Sequence, residues 1–465
     1  MSEIRQRTSG EGDGADKQTP HLSPSTGEPD SEDSDNDDLH DFATAKGNKS
    51  PLVQAAPTGT DVTPEILDSV TKNMSQRWRS YTIRFVLSIC MITSFFVLLY
   101  LGPIALVLLV MGIQLKCFSE IINIGYVVYR SQNLPWFRTL SWYFLVTANY
   151  YINGEMIIDQ FGVLLQKTDF LIYFLTYHKF ISISLYVAGI VAFVCSLKKK
   201  YYLRQFTLFG YTHVTLLVVA VGANFLTRLI FEGIFWFFLC TSMIICNDIW
   251  AYLFGFFFGK TPLIKLSPKK TWEGYIGGGI ATLIYSVIVT SIMVQYDYLV
   301  CPIEYSLEKD GLSLDECIRN PVFVLADYVL PKSVQTLLNI VGMPMTTIQM
   351  YPITFHSMFL AAFSSLIGPF GGFFASGFKR AFRIKDFGDV FPGHGGFMDR
   401  FDCQVIMGAF MYTYVATFIR IPNPQKLLTT IFAMQPEEQL TVLHALCDNL
   451  QGKGLIDCNS VYSLR

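Results

Sequence analysis

Nine apolar stretches, each near the length a helix needs to cross a bilayer, leave this chain little choice of fold. A helix rises about 1.5 Å per residue, so about 20 apolar residues span the hydrocarbon core. The stretches run over about residues 83–101, 103–127, 138–153, 178–197, 206–226, 228–247, 275–295, 355–378 and 403–419. The segment 249–258 is too short to span alone and is expected to extend the helix before it or to re-enter. Gly102 and Pro103 mark a tight turn between the first two spans. Charged residues make up 15% of the chain, against about 25% in soluble proteins, and mean hydropathy is +0.37. The expected fold is therefore all-α, a polytopic transmembrane helix bundle of about nine spans with a disordered acidic N-terminal tail.

The tail, residues 1–75, is rich in Ser, Thr, Gly, Pro, Asp and Glu and nearly free of aromatics. Such a segment cannot bury enough apolar area to offset the entropy of ordering it. Residues 1–60 hold 12 acids and 5 bases, leaving 25 acids and 30 bases for the rest. The basic group Arg77, Arg79 and Arg84 borders the first span, which is expected to act as an internal signal-anchor. Further basic clusters are Lys198, Lys199, Lys200 and Arg204; Lys260, Lys265, Lys269 and Lys270; and Lys379, Arg380, Arg383 and Lys385. The loops 154–177 and 296–350 lean acidic. Lys and Arg mark cytosolic loops, so the basic clusters and the tail are expected in the cytosol and the loop 296–350 in the lumen. The organisation is a tail (1–75), a membrane domain (76–420) and a C-terminal tail (421–465) whose side is left open. Of the ten Cys, Cys90, Cys117, Cys195, Cys240 and Cys246 lie in apolar runs and read as small core residues. Cys301 and Cys317 share one loop, where a disulfide is compatible with a lumenal position.

Two clusters of polar residues carry chemistry. The first opens where a span reaches the basic side: Asn247 and Asp248, Ala251 and Tyr252, Gly255, Gly259 and Lys260, then Ser267, Pro268, Lys269, Lys270, Thr271, Trp272, Glu273 and Gly274. Helix packing explains Gly255 and Gly259, four apart. A positive-inside flank explains the lysines but not the Ser, Pro, Thr and Gly interleaved with them. Hydroxyl and ammonium groups near a helix start suit a polyphosphate. Asp248, Lys260, Ser267, Lys269, Lys270 and Thr271 are the candidate substrate contacts.

The second cluster holds Ser376, Lys379, Arg380, Lys385, Asp386, His394, Gly395, Gly396, Asp399, Arg400 and Asp402, between two apolar spans. Asp399 and Asp402 are three apart, so both carboxylates share a face of the helix that opens the last span. Carboxylates beside phosphate-binding groups suit Mg2+, which keeps waters and bridges to substrate oxygens. The turn at His394, Gly395 and Gly396 offers backbone N–H groups to an anion. Lys379 and Arg380 can neutralise a leaving pyrophosphate. Each residue has a structural alternative: a helix cap for Asp399 or Asp402, a turn for His394, interfacial snorkelling for Arg400. Within the second span, Lys116 and Glu120 stand four apart. They can pair on one helix face or line the site, since ionisable groups in a span are costly without partners.

The run Ser376, Lys379, Arg380, Lys385, Asp386, His394, Gly395, Gly396, Asp399, Arg400, Asp402 resembles the signature of the CDP-diacylglycerol synthases, the phosphatidate cytidylyltransferases, and residues 247–274 resemble a second block of that family. The long acidic tail and the loop 296–350 look like its eukaryotic branch. One departure stands out: Gly372 takes the place of an Asp four residues before the signature Ser in bacterial members, which leaves Asp386, Asp399, Asp402 or Asp248 as the residues to which the metal set could shift. The resemblance implies transfer of CMP from CTP to phosphatidic acid, giving CDP-diacylglycerol and pyrophosphate, in the endoplasmic reticulum membrane with the site facing the cytosol. It implies Mg2+ held by Asp386, Asp399 and Asp402; Asp386, Asp399, Lys379, Arg380 and His394 as the catalytic group; and Ser376, Lys385, Gly395, Gly396 and Arg400 at the substrates. The partners expected are CTP, phosphatidic acid and membrane lipid, not nucleic acid, and the Gly-rich interior is compatible with a homo-oligomer. The alternatives are another membrane nucleotidyltransferase or a lipid or polyprenol kinase and, more remotely, a transporter.

Overall fold

The computed structural model describes residues 76–129, 136–165, 169–301, 304–306, 311–313, 319–340, 346–388, 390, 395–421, 427–428, 431–432 and 434–455. The expected tail over 1–75, His394 and Cys317 lie outside these residues. The helices are α1 (Gln76–Leu101), α2 (Pro103–Tyr129), α3 (Phe137–Leu165), α4 (Asp169–Thr176), α5 (His178–Cys195), α6 (Tyr202–Glu232) and α7 (Ile234–Phe258). A hairpin of β1 (Pro262–Ile264) and β2 (Ser267–Thr271) joins α7 to α8 (Trp272–Met293). The next segment, expected as a loop, holds α9 (Asp297–Val300), the antiparallel pair β3 (Glu304–Ser306) and β4 (Gly311–Ser313), and the pair β5 (Ala326–Val329) and β6 (Thr347–Met350) with α10 (Lys332–Ile340) between them. The chain continues as α11 (Ile353–Leu366), α12 (Pro369–Ala381), α13 (Met398–Tyr414) with a π-helical turn at Val415–Ile419, and α14 (Pro436–Gly452). Part of the expected C-terminal tail is thus helical, opened by a reciprocal cap between Gln435 and Glu438.

The expected spans are largely helical, but those over 228–247 and 355–378 each straddle a break between two helices. Among the described residues six segments are long and apolar enough to cross a membrane: Pro103–Val127, His178–Cys195, Tyr202–Glu232, Ile234–Phe258, Trp272–Met293 and Ile353–Ala381. The short apolar stretch 249–258 extends α7. The expected break near residue 227 is displaced: α6 runs on to Glu232 and the chain turns at Gly233, whose φ of 135° an L side chain rarely adopts. Arg228 does not end the helix because its guanidinium has partners inside the bundle. It donates to Asn224 at 3.0 Å and lies 3.6 Å from Glu155. A ladder of amides continues inward: Asn224 donates to Asn153, Asn153 to Asn149, and Gln114 to Asn149, at 3.2, 3.0 and 2.9 Å. These bonds tie α6, α3 and α2 together where lipid would leave polar groups unpaired. Thr227, beside Arg228, is fully buried.

The span expected over 355–378 is interrupted. Gly368 and Pro369 separate α11 from α12, because Pro369 has no N–H to continue the ladder. Two expected core cysteines, Cys90 and Cys195, lie exposed instead, whereas Cys117, Cys240 and Cys246 are buried. Cys301 is disulfide-bonded.

Helix α6 is the hub and packs against α2, α3, α7 and α13, while α7 pairs with α8 and α8 with α11. Helix α8 shows how a membrane inverts the soluble pattern. Ile276, Ile280, Ile284, Ile288 and Ile292 form one exposed row. Gly274, Gly278, Thr282, Ser286 and Thr290 form the buried row. Small residues let backbones approach: a Cβ on Gly278 would lie 2.9 Å from the Ala251 Cβ and 3.0 Å from its backbone N. Two apolar cores result. One gathers α7, α13 and the start of α2. The other holds Phe118, Ile121 and Ile122 of α2 with Ile384, Phe387 and Met398, directly under the second polar cluster.

Replacing Gly278 by Val is expected to lower stability by about 1–3 kcal/mol through overpacking against α7, whereas Ile284→Val on the lipid-facing row leaves it nearly unchanged. Unfolding of the two variants side by side in one detergent measures this contrast.

Candidate active site

The two polar clusters meet. Helices α7 and α12 end, and α8 and α13 begin, at the same end of the bundle. The hairpin β1–β2 leans onto α12: Lys270 lies 5.1 Å over the Phe373 ring, and a Cβ on Gly377 would touch Leu266. The hairpin is held from below by Glu273. Its carboxylate accepts the N–H of Lys260 at 3.1 Å, the N–H of Thr261 at 3.2 Å and the Thr261 hydroxyl at 2.7 Å. Thr271 caps α8, its Oγ1 accepting from the Gly274 N–H at 3.2 Å.

Helix α12 ends with Lys379 and Arg380 in its last turn, where cations complement the helix dipole. The chain then turns through Arg383, in left-handed conformation at φ 54°, with the Ile384 N–H bonded back to the Lys379 carbonyl at 2.9 Å. This turn sends residues 385–388 back toward the start of α13. There Asp399 receives them. Its Oδ1 lies 2.7 Å from Lys379 Nζ, and its Oδ2 accepts the N–H groups of Phe387 at 2.9 Å and Gly396 at 3.0 Å. Asp386 is close: a Cβ on Gly395, itself at φ +83°, would sit 3.1 Å from Asp399 Oδ2 and 3.4 Å from Asp386 Oδ1.

Asp402 faces another way. A Cβ on Gly372 would lie 3.5 Å from Asp402 Oδ2 and 3.7 Å from Lys270 Nζ, so the missing side chain at 372 leaves a notch that both groups border. Asp248, exposed on α7, shares the electrostatic neighbourhood of Lys270, Asp402 and Arg400.

The expected ligand set is therefore divided. Asp386 and Asp399 lie together, Asp402 and Asp248 lie together, and among the described residues no group of three or more Asp, Glu, His or Cys is placed to hold one metal ion. Asp399 is spent on Lys379 and two backbone donors. The reason lies in the turn before α13: at the second position of the helix Asp399 reaches back to the Gly396 N–H, three residues earlier, and across to the Phe387 N–H of the returning segment. The N–H of Gly396, expected to face an anion, is likewise used by Asp399. The Ser376 hydroxyl donates to the Gly372 carbonyl of its own helix at 2.7 Å. Arg380, Lys385, Lys260 and Arg400 are exposed at this end, and Lys385 lies 4.0 Å from Asp386. Ser267 is half-buried in β2. Of Lys269 only the backbone, in β2, is described.

Two residues carry roles that the sequence alone does not reveal. Glu273 stands in the sequence only as part of a pattern, although an acid in the first turn of a helix after a basic loop suits binding backbone N–H groups. Glu120 is expected as a pair for Lys116 or as a site-lining group. Lys116 is instead exposed, and Glu120 accepts the N–H groups of Phe397 and Met398 at 2.9 and 3.0 Å.

Apolar helices carrying a cluster of cations and carboxylates at one end define a polytopic membrane protein with a charged site beside lipid. Residues 82–418 match the cytidylyltransferase family, and the chain belongs to it. It is 47% identical over 447 residues to phosphatidate cytidylyltransferase 1 of Rattus norvegicus, covering 96% of this chain and 94% of the relative. It is 46% identical over 456 residues to phosphatidate cytidylyltransferase 2 of Homo sapiens, covering 98% of each. Phosphatidate cytidylyltransferase of Caenorhabditis elegans is 47% identical over 405 residues, 87% of this chain and 86% of the relative.

The Lys379–Asp399 pair is largely buried, with side chains 15% and 8% exposed. Removing one partner of such a pair costs about 3–5 kcal/mol because a charge is left alone. Asp399→Asn and Lys379→Met are each expected to destabilise the protein, and the double variant by less than the sum of the two. A double-mutant cycle on unfolding in detergent reads the coupling.

Proposed function

We propose that this protein is a phosphatidate cytidylyltransferase, joining CTP and phosphatidic acid to give CDP-diacylglycerol and pyrophosphate. The observation that carries the reading is the meeting of Lys270 and Asp402, from two distant stretches of sequence, at the notch left by Gly372, with Asp248 and Arg400 in their electrostatic neighbourhood, in a chain that matches cytidylyltransferases over nearly its full length.

The reaction needs no dedicated base. A phosphate monoester has a second pKa near 6 and is largely ionised at neutral pH. An oxygen of phosphatidate attacks the α-phosphorus of CTP; a new P–O bond forms, the bond to the bridging α–β oxygen breaks, and pyrophosphate leaves with that electron pair. The barrier lies in bringing two polyanions together and stabilising the leaving group, which is met by positioning and by cations. Lys270, which the hairpin brings beside Asp402, and Arg400 would hold the phosphates of the nucleotide. Arg380 and Lys385, exposed at the same end, would receive the pyrophosphate or the lipid phosphate.

Asp248 and Asp402 fit a Mg2+ ion better than the set expected from sequence. One is exposed, the other half-buried, and Mg2+ is usually held by one or two carboxylates together with substrate phosphates. Bound there, the ion would neutralise phosphate charge. Asp399 and Asp386 would shape the turn that carries Arg400. Phosphatidate keeps its chains in the leaflet and CTP comes from water, so the site would open both to lipid and to solvent. The basic residues at this end favour the cytosolic face, and residence in the endoplasmic reticulum membrane is the setting we propose.

Purified protein with CTP labelled at the α-phosphate is expected to move label into lipid in the presence of phosphatidate. ATP or GTP should not replace CTP. EDTA should stop the reaction and Mg2+ restore it. Lipid labelled only from the γ-phosphate would instead mean a kinase. Asp402→Asn and Asp248→Asn are expected to raise the Mg2+ concentration for half-maximal rate by more than the ~10–100-fold that loss of an outer-shell partner costs; an unchanged Mg2+ titration would move the ion elsewhere.

A further inference from the structure

Glu120 lies in the apolar helix α2, is 9% exposed, and has Phe118, Ile121 and Ile122 in the core around it. A carboxylate in such surroundings is costly unless its oxygens are satisfied. Both are satisfied, and by backbone. Oε1 accepts the Phe397 N–H at 2.9 Å and Oε2 the Met398 N–H at 3.0 Å. These are donors at the start of α13, a helix whose own N-cap residue, Phe397, provides no side-chain cap. The loop closes tightly on the carboxylate. A Cβ on Gly388 would lie 2.7 Å from Oε1, and a Cβ on Gly396 2.6 Å from Oε2. A helix N-terminus attracts anions; here an acid from a helix distant in sequence takes the place a phosphate would take.

We propose that Glu120 is a positioning residue for nucleotidyl transfer. It fixes where α13 starts and how that helix is rotated, and thereby where Asp402 and Arg400 point relative to Lys270 and Asp248. It touches no substrate. The inference rests on the reading of those four residues as the phosphate and metal site. It also accounts for Gly388 and Gly396, which admit the carboxylate where any side chain would displace it.

A Gln at 120 has the same shape but one acceptor, so one of the two N–H groups meets an amide donor. An Asp is one methylene too short to reach both. A displacement of about 1 Å at a reacting centre costs about 100-fold in rate, and Glu120→Gln is expected to lower kcat by about that factor with the KM for CTP little changed, while the melting temperature in detergent falls only by what one unsatisfied buried N–H costs. Glu120→Asp should fall between. Hydrogen exchange should quicken at the Phe397 and Met398 amides. Gly396→Ala should lower kcat in the same way, and the double variant Glu120→Gln with Gly396→Ala should be no worse than the poorer single variant. A kcat for Glu120→Gln or Gly396→Ala within about threefold of wild type, additive effects of the two, or unaltered exchange at Phe397 and Met398 would overturn the proposal. Should Glu120→Gln fail to fold, Gly396→Ala carries the same test. A wild-type protein that does not join CTP to phosphatidate would instead remove the proposed activity, while the exchange measurement still decides whether Glu120 holds α13.

Discussion

Backbone that leaves a helix at the edge of a bilayer must find partners for its N–H groups, and in this protein carboxylates supply them. Glu120 takes the N–H groups of Phe397 and Met398. Asp399 takes those of Phe387 and Gly396. Glu273 takes those of Lys260 and Thr261. Each bond joins a charged side chain to a neutral donor, which is stronger than an ordinary amide bond. Remove these three acids and the β1–β2 hairpin, residues 385–388 and the start of α13 lose their anchors. That scaffolding holds the backbone of the hairpin that carries Lys270 and of the helix start that carries Arg400.

The acids at this end thus fall into two kinds. Glu120, Asp399 and Glu273 have their oxygens occupied by the protein. Asp248 is exposed and Asp402 borders the notch at Gly372. Asp402 accepts the Cys403 N–H on Oδ1 at 2.7 Å and turns only Oδ2 to the notch. Lys379 is neutralised by Asp399, which leaves Arg400, Arg380 and Lys385 as exposed cations of this end. A cluster rich in both signs of charge is in this way sorted into framework and working groups.

The helical fold was legible in the sequence because lipid imposes a length and a composition on each span, and six segments among the described residues carry both. The place where α6 ends was not, because Arg228 looks like a cytosolic or interfacial residue when its partners Asn224 and Glu155 are unknown. The meeting of residues 247–274 with 376–402 followed from a family resemblance and from shared basic character. The division of labour among Asp386, Asp399 and Asp402 did not, since spacing shows which carboxylates share a helix face but not which backbone donors reach them first. Glu120 was visible as an anomaly, an acid in an apolar helix, yet its partners lie 277 and 278 positions away, beyond the reach of any local pattern.

The clamp at Glu273 bears on how substrates arrive. The hairpin between α7 and α8 is short, and both of its ends are tied, one through Lys260 and Thr261 and the other through the cap at Thr271. Such an element has no hinge of its own. It tilts only when its two long helices tilt, so Lys270 travels with the body of the bundle and not as a flap. Bilayer thickness acts on helix tilt, and a change of tilt would be carried to the distance between Lys270 and Asp402, which face each other across the notch at Gly372.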